Sequence, residues 1–423
     1  MINEKFLHFI WKFQLFNFSN LHDVNQFAIQ ILKPGIHNDN AGPDFLNARI
    51  KISDVLWCGD VEIHIKSSDW YAHKHQLDNK YDAVILHVVY EHNRNVTNRS
   101  GAPIICIELK NLIPDTYLKE YESLSNSVAN LPCSYAIGNL TNIFWESFTE
   151  GLLIERLEHK MSFVEQLFFD ADKNFQECFY QLLAYSLGLK INAEAMLVLS
   201  KKTPFLLLHK HRNNRTQIEA LLYGQSGLID LSPKDKYPRT LKLEYEFLSQ
   251  KYKLEAATYL KWSFFRLRPS SFPTLRISFL ADFVCNSSGV FEHLFSFKSL
   301  KSISKHLNLQ GSNYWKSHYV FDKTVKSVPK RLGKSTRDLV LINAVLPFCF
   351  FYARQKSDQE MMMRVVEAYR ELKAEENKII RYYTNAAVKV KSAFTSQALI
   401  HLHQNYCIPR NCLNCRVFNQ ILK

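Results

Sequence analysis

The sequence predicts a mixed α/β (α+β) domain over residues 1–130, followed by a large all-α domain over residues 131–423. Three patterns carry this expectation. Apolar and polar residues largely alternate through residues 44–52 and 55–66, which is the period of a strand with one face buried. Residues 82–91 form a nearly continuous apolar run (Ala83, Val84, Ile85, Leu86, Val88, Val89), as in a strand covered on both faces. Beyond residue 130 the apolar spacing lengthens to that of helices, over residues 143–167, 175–187, 191–201, 215–222, 241–251, 361–383 and 393–404.

Taken in order, residues 4–16 read as a helix whose Phe6, Phe9, Ile10 and Phe13 make one apolar face. Strands are expected over residues 27–36, 44–52 and 55–66, then a helix over 68–81 and strands over 82–91 and 104–109. The boundary falls near Leu131, Pro132 and Cys133, where the period changes. Connectors rich in Pro, Ser or Gly at residues 232–238, 269–273 and 311–313 read as breaks between helices of one bundle. Residues 155–160 read as an exposed helix face, and no fixed-period repeat signals a solenoid. With 423 residues, 47% of them hydrophobic, the chain is long enough for two or three domains with substantial cores.

The chemistry concentrates near the front. Asp44 opens one strand, and Glu62, His64 and Lys66 take every second place on the next, so those three share a face. Two carboxylates so placed suit a hard divalent cation, Mg²⁺ or Mn²⁺, that activates water against a phosphodiester. His64 or Lys66 beside them would orient that water or stabilise the transition state, and Glu4 on the first helix would help place the metal. The competing expectation is a solvated strand face, with Asp44 capping a turn.

The order Pro43-Asp44 then Glu62-Ile63-His64 resembles the PD-(D/E)xK nuclease superfamily, whose restriction-endonuclease-like core runs helix, strand, strand, strand, helix, strand. That resemblance implies metal at Asp44 and Glu62. It also marks a departure, because His64 stands where the motif ends in lysine, with Lys66 two places on. Over its whole length the chain is similar to one uncharacterised family of bacterial proteins of unassigned function. That likeness rests on Gly42 to Phe45, Val61 to His64 with Ser67 to Trp70, Glu219-Ala220-Leu221-Leu222-Tyr223-Gly224-Gln225, Arg266-Leu267-Arg268-Pro269 and Cys412-Leu413-Asn414-Cys415.

Histidines gather around the same stretch: His37, His64, His73, His75 and His87. His73 and His75 with His64 or His87 would offer imidazole ligands to Zn²⁺. On one helix, however, positions two apart diverge by about 200°, so such a site requires a loop at residues 73–75.

The formal net charge of +13 favours a polyanionic partner. Its distribution sharpens the point: residues 301–340 hold nine Lys and Arg against two acids, interleaved with Tyr314, Trp315, Tyr319 and Phe321. Lys261, Arg266, Arg268 and Arg276 form a second stretch without an acid. Cations beside stacking rings suit nucleic acid, and Lys261, Arg266, Arg268, Lys316, Lys330 and Arg331 are the expected contacts. The simpler expectation is a solvated helix face over core aromatics.

The nine cysteines show no secreted framework, and a reduced cytoplasm is the expected compartment. Cys407, Cys412 and Cys415 cluster near the C-terminus, with spacing suited to Zn²⁺ or an iron-sulfur cluster. A fourth ligand would come from His401, His403 or the distant Cys133. The resembled superfamily includes recombination nucleases with an iron-sulfur staple, a comparison the tail invites. No phosphate-binding glycine loop, dinucleotide fingerprint or nucleophile elbow is present. The apolar run at residues 6–18 is broken by His8, Lys12, Gln14 and Asn17, so no membrane span is expected. The expected function is divalent-metal-dependent nuclease activity on DNA or RNA, the alternative a nuclease-like nucleic-acid-binding protein without activity.

Overall fold

The computed structural model describes residues 2–38, 40–229, 232–255 and 260–422. The chain forms two compact units, one of Met1–Thr141, Asn385–Val388 and Leu402–Lys423, the other of Asn142–Thr384 and Lys389–His401. The division expected near residue 130 assigned the cysteine-rich tail to the helices; the structure groups it with the sheet.

In the first unit, helix α1 (Glu4–Lys12) begins where the Asn3 side chain accepts the Phe6 N–H at 2.9 Å, an N-cap that satisfies an otherwise orphaned donor. It is shorter than expected, with Gln14 in the left-handed region (φ 49°) just beyond it. Phe13 is therefore left exposed, while Phe6, Leu7, Phe9, Ile10 and Trp11 are buried. The strands are β1 (Ile29–Lys33), β2 (Ile36–His37), β3 (Phe45–Ile52), β4 (Val55–Lys66), β5 (Val84–Glu91) and β6 (Ile105–Glu108). Their order is β1-β3-β4-β5-β6, with β2 also paired to β3. The β1-β3 and β3-β4 pairs are antiparallel, whereas β4-β5 and β5-β6 are parallel. Phe6, Leu7 and Ile10 share one core with Phe45, Val61, Ile63, Leu86 and Val88.

Two irregularities shape the sheet. Asn47 adopts φ 57° at a register shift between β3 and β4, and its N–H donates to Asp60 Oδ1 at 3.0 Å. This bulge lets both Phe45 and Ala48 turn inward, so strict alternation from Leu46 onward does not hold. Gly59 sits where β4 meets the start of β5. A β-carbon there would lie 2.5 Å from both the Ala83 carbonyl oxygen and Ile85 Cγ2, which only glycine avoids.

The crossover from β4 to β5 was expected as one helix over residues 68–81. It is instead α2 (Asp69–Ala72) followed by two single 3₁₀ turns, His75–Leu77 and Asn79–Tyr81. The break is Lys74, in the left-handed conformation at φ 62°, ψ 31°. Trp70 anchors this crossover, packed with Val84, Val96 and Ile104, and its indole N–H donates to the Thr97 carbonyl at 3.1 Å. Helix α3 (Asp115–Asn126) and the C-terminal helix Arg416–Ile421 complete the unit. Phe418 packs against Phe9, with ring centroids 5.1 Å apart.

The second unit is helical, led by α4 (Asn142–Asp170), α5 (Phe175–Leu187) and α6 (Leu189–Lys202). The helix expected over residues 361–383 is divided into Gln359–Glu371 and Lys378–Asn385. The aromatic stretch, for which the simpler expectation was a helix face over core rings, carries a small hairpin, β7 (His318–Val320) with β8 (Lys323–Thr324). Residues 334–355 form one continuous rod, Lys334–Val340, a π turn Leu341–Val345 and Leu346–Gln355. Pro347 lacks an N–H, and the π turn just before it absorbs the missing helical hydrogen bond. This rod is long and apolar enough to cross a membrane by length and composition, and 67% of its most apolar window is buried inside the unit, as in the core helix of a folded domain.

Candidate metal centre

The register that pairs Phe45 with Val61 brings Asp44 beside Glu62. The two carboxylates are fixed by each other's strands: the Asp44 N–H donates to Glu62 Oε2 at 3.1 Å, and the Ile63 N–H donates to Asp44 Oδ2 at 2.9 Å. Glu62 and His64 are buried although charged or polar, because this end of β4 is covered on both faces.

Two imidazoles, of His64 and His75, approach Glu62, and a third, of His73, joins them through His64. Glu62 Oε1 lies 3.6 Å from His64 Nε2 and 3.2 Å from His75 Nε2. His64 Nε2 is in turn 3.0 Å from His73 Nδ1. One ligand atom from each of His64, His73 and His75 falls within 4.8 Å of the others. Donors about 2.1 Å from one tetrahedral ion stand about 3.4 Å apart. The neighbouring pairs His64–His73, His75–Glu62 and His64–Glu62, at 3.0, 3.2 and 3.6 Å, have spacings of that size, and the group whose donors all lie within 4.8 Å of one another is the three histidines. His73 and His75 reach the same point because α2 ends at Ala72 and Lys74 turns the chain back between them.

A further layer surrounds these donors. His64 Nδ1 is 2.8 Å from His87 Nε2, an arrangement that fixes which nitrogen of His64 faces Glu62. His8, on α1, brings Nε2 to 3.3 Å from Asp44 Oδ2. Glu4, one turn earlier, interacts electrostatically with His73, Asp44 and His8. Sequence reasoning included Glu4 but missed His8, noting it only as an interruption of an apolar run. The signal was its spacing of four from Glu4, which puts both on one helix face.

The electrostatics are those of a donor set lacking positive charge. Burial, followed by the adjacent Asp44 charge, pushes the Glu62 carboxyl up to about 9. Burial, followed by His87, His75 and His73, lowers His64 to about 2, and His87 falls to about 3 for the same leading reason. Burial also raises Glu4 and lowers His75. Among the described residues, Nε2 of His8, Nε2 of His75 and Nδ1 of His87 are buried without a hydrogen bond. The unbonded Nε2 of His75 beside the protonated Glu62, and that of His8 beside Asp44, fit a cation, which would replace the proton on Glu62.

Other expected residues are placed differently. Lys66 lies exposed at the end of β4; its N–H donates to Asp69 Oδ2 at 2.9 Å, and its ammonium forms no ion pair with Asp44 or Glu62. Strand period alone put it on the shared face, but β4 passes out of the buried region before reaching it. In the helical unit Lys261, Arg266, Arg268, Lys316 and Arg331 are exposed. Lys330 is buried instead, donating to the Lys316 carbonyl at 3.2 Å and standing 4.4 Å from the Tyr319 ring centroid. Arg276 is also buried, with Nε and Nη1 lacking hydrogen bonds. That unit contains a cavity of about 560 Å³ with largely apolar walls, and its one buried amine, Lys160, is hydrogen-bonded to Ile342, Asn343 and Gln397. His401 in the same unit has Nε2 3.2 Å from Glu155 Oε2.

A family described as "Protein of unknown function (DUF2851)" matches residues 4–378. The chain belongs to that family. The matched span includes Glu4, His8, Asp44, Glu62 and all of the clustered histidines, together with Cys133, and ends before Cys407. No curated protein and no solved structure matches the chain.

Proposed function

We propose that this DUF2851 chain is a divalent-metal-dependent phosphodiesterase acting on DNA or RNA. The observation that carries the reading is the cluster of His64, His73 and His75, with Glu62 against two of these imidazoles and Asp44 beside it. Strand order supports it as well: α1, the antiparallel β1, β3 and β4 with the two-residue β2 beside β3, a helical crossover and the parallel β5 contain the helix, strand, strand, strand, helix, strand order of PD-(D/E)xK nucleases, with Asp44 and Glu62 at the positions that resemble that family's two acids. Imidazole donors shift the preferred ion from Mg²⁺, which takes oxygen ligands, toward Mn²⁺ or Zn²⁺.

Glu62 and the three imidazoles would hold the ion, and Asp44 would add an oxygen from the facing strand. A cation bound there lowers the pKa of a water and neutralises charge on a phosphate. His8, next to Asp44, is positioned to move a proton, as His64 cannot be while its two nitrogens face His87 and the cluster. His73 is exposed and lies at the solvent edge, where substrate would arrive. The exposed Lys261, Arg266, Arg268, Lys316 and Arg331 would supply non-specific backbone contacts.

The test is cleavage of labelled single-stranded and duplex DNA and RNA with Mg²⁺, Mn²⁺ or Zn²⁺, beside Asp44→Ala and Glu62→Ala. Cutting that disappears in chelator and in both variants supports the proposal. Salt-sensitive binding without cutting, unchanged by either substitution, would replace it with a binding protein of nuclease-like ancestry. The exposed position of Lys66 favours that second reading, since no lysine stands at the cluster.

A further inference from the structure

We propose that Cys133, Cys407, Cys412 and Cys415 form one four-thiolate metal site that fastens the C-terminal tail to the sheet unit. This inference is independent of the phosphodiesterase reading. The four side chains come from two segments far apart in sequence, yet they line a single cavity of about 20 Å³ walled by apolar groups such as Leu124 and Phe418. The three tail cysteines follow a Cys-x₄-Cys-x₂-Cys spacing, and Cys133 supplies the fourth position that such a set needs.

Each cysteine is presented by its own turn. Cys133 follows Pro132, and its carbonyl accepts the N–H groups of Ala136 and Ile137 at 3.1 and 3.2 Å. Cys407 closes the π turn His403–Cys407, and Cys412 opens the 3₁₀ turn Cys412–Asn414. Cys415 occupies the N-cap position of the helix Arg416–Ile421, where its carbonyl accepts the Phe418 N–H at 3.0 Å.

Arg410 sets the loop against the partner segment. Its Nη2 donates to the Ser127 and Ala129 carbonyls at 2.7 and 2.8 Å, while Nη1 donates to the Cys407 carbonyl at 2.7 Å. The tail is thereby brought to Cys133 by contacts that need no metal. On binding a cation each of the four thiols would release its proton to solvent and donate a sulfur lone pair. The four sulfurs are spread more widely than the 4.8 Å within which one ion gathers its donors, so a single zinc would draw them together whereas an iron-sulfur cluster spans a wider set, and elemental analysis separates the two.

The experiment uses the full chain, purified without oxygen, and measures zinc, iron, acid-labile sulfide and visible absorption. The expected result is either about one zinc per chain held by thiolate, or iron with matching sulfide and a sulfur-to-iron charge-transfer band. Cys133→Ser and Cys412→Ser should each lose that metal, while Cys58→Ser, an exposed residue on β4, should retain it. His73→Ala distinguishes the two centres, because metal lost in that variant but kept in Cys133→Ser belongs to the histidine cluster. Should the serine variants fail to fold, Co²⁺ added to the wild-type chain reports thiolate ligation directly by its sulfur charge-transfer absorption. Metal content unchanged by Cys133→Ser and Cys412→Ser, or no thiolate band with Co²⁺, would overturn the proposal. So would disulfides among these cysteines in the anaerobic protein.

Discussion

Glu62→Gln offers the sharpest test of the electrostatics at the cluster. A Glu62 carboxyl held at about 9 in the folded, metal-free chain keeps its proton from the ordinary carboxylate value of 4.5 up to about 9, whereas the unfolded chain has released it. Folding therefore binds a proton in that window, and stability falls as pH rises, by about 1.4 kcal/mol per pH unit. His64 and His87, lowered to about 2 and 3, are neutral in both states above 6.5, so they do not contribute there. Below 6.5 they act in the opposite sense, since the unfolded imidazoles bind protons that the folded ones refuse. Between about pH 7 and about pH 8.5 Glu62 alone should cost about 2 kcal/mol. Denaturant unfolding followed by tryptophan fluorescence in chelator measures this, with Trp11 and Trp70 buried in the sheet unit as reporters. Glu62→Gln should lose that decline while keeping whatever the remaining cysteines, lysines and tyrosines contribute. Parallel pH profiles for wild type and variant would refute the assignment of a buried, protonated Glu62. With Mn²⁺ present the wild-type trend should reverse, because the departing proton makes room for the ion and apparent affinity rises with pH.

Other outcomes follow from single positions. His73→Ala should weaken Mn²⁺ or Zn²⁺ binding, read by isothermal titration, by at least about tenfold, yet change unfolding free energy by no more than about 0.5 kcal/mol because the residue is exposed. Gly59→Ala forces a methyl to 2.5 Å from the Ala83 carbonyl oxygen and Ile85 Cγ2, and should destabilise by about 1–3 kcal/mol in urea titration. Phe418→Ala empties a buried position against Phe9 and should cost about 3–5 kcal/mol, the measure of how firmly the tail belongs to the first unit. Replacing Lys261, Arg266 and Arg268 together by Ala should lower the slope of log affinity against log salt for duplex DNA by about 0.9 for each phosphate no longer neutralised; an unchanged slope would remove these cations from the interface.

Much of the sheet was legible in the residues alone. Strand period placed β3 and β4, and a continuous apolar run placed β5, nearly to the residue: β3 buries Ala48, Ile50 and Ile52 at every second place, while the later part of β4 and most of β5 are covered on both faces. Helix α5 was bounded without error, since Asn174 caps its start and its apolar face is continuous. The pairing of Asp44 with Glu62 was also inferable, as a consequence of one hairpin. The crossover was misread as one helix, because nothing in the residues themselves marks Lys74 as left-handed. That one backbone reversal turned His73 and His75 from divergent positions into neighbours.

Local patterning, then, already specified the main strands, about half of the helices, the acidic pair and the tail's thiol spacing, since each depends on residues close together in the chain and on the periods of 2 and 3.6 that burial imposes. Long-range folding supplied the rest. It brought His8 from α1 to Asp44, carried Lys66 out to solvent and set Cys133 across from Cys407, Cys412 and Cys415. Those relations depend on where whole elements pack and on how single turns bend, which side-chain alternation within one segment does not encode.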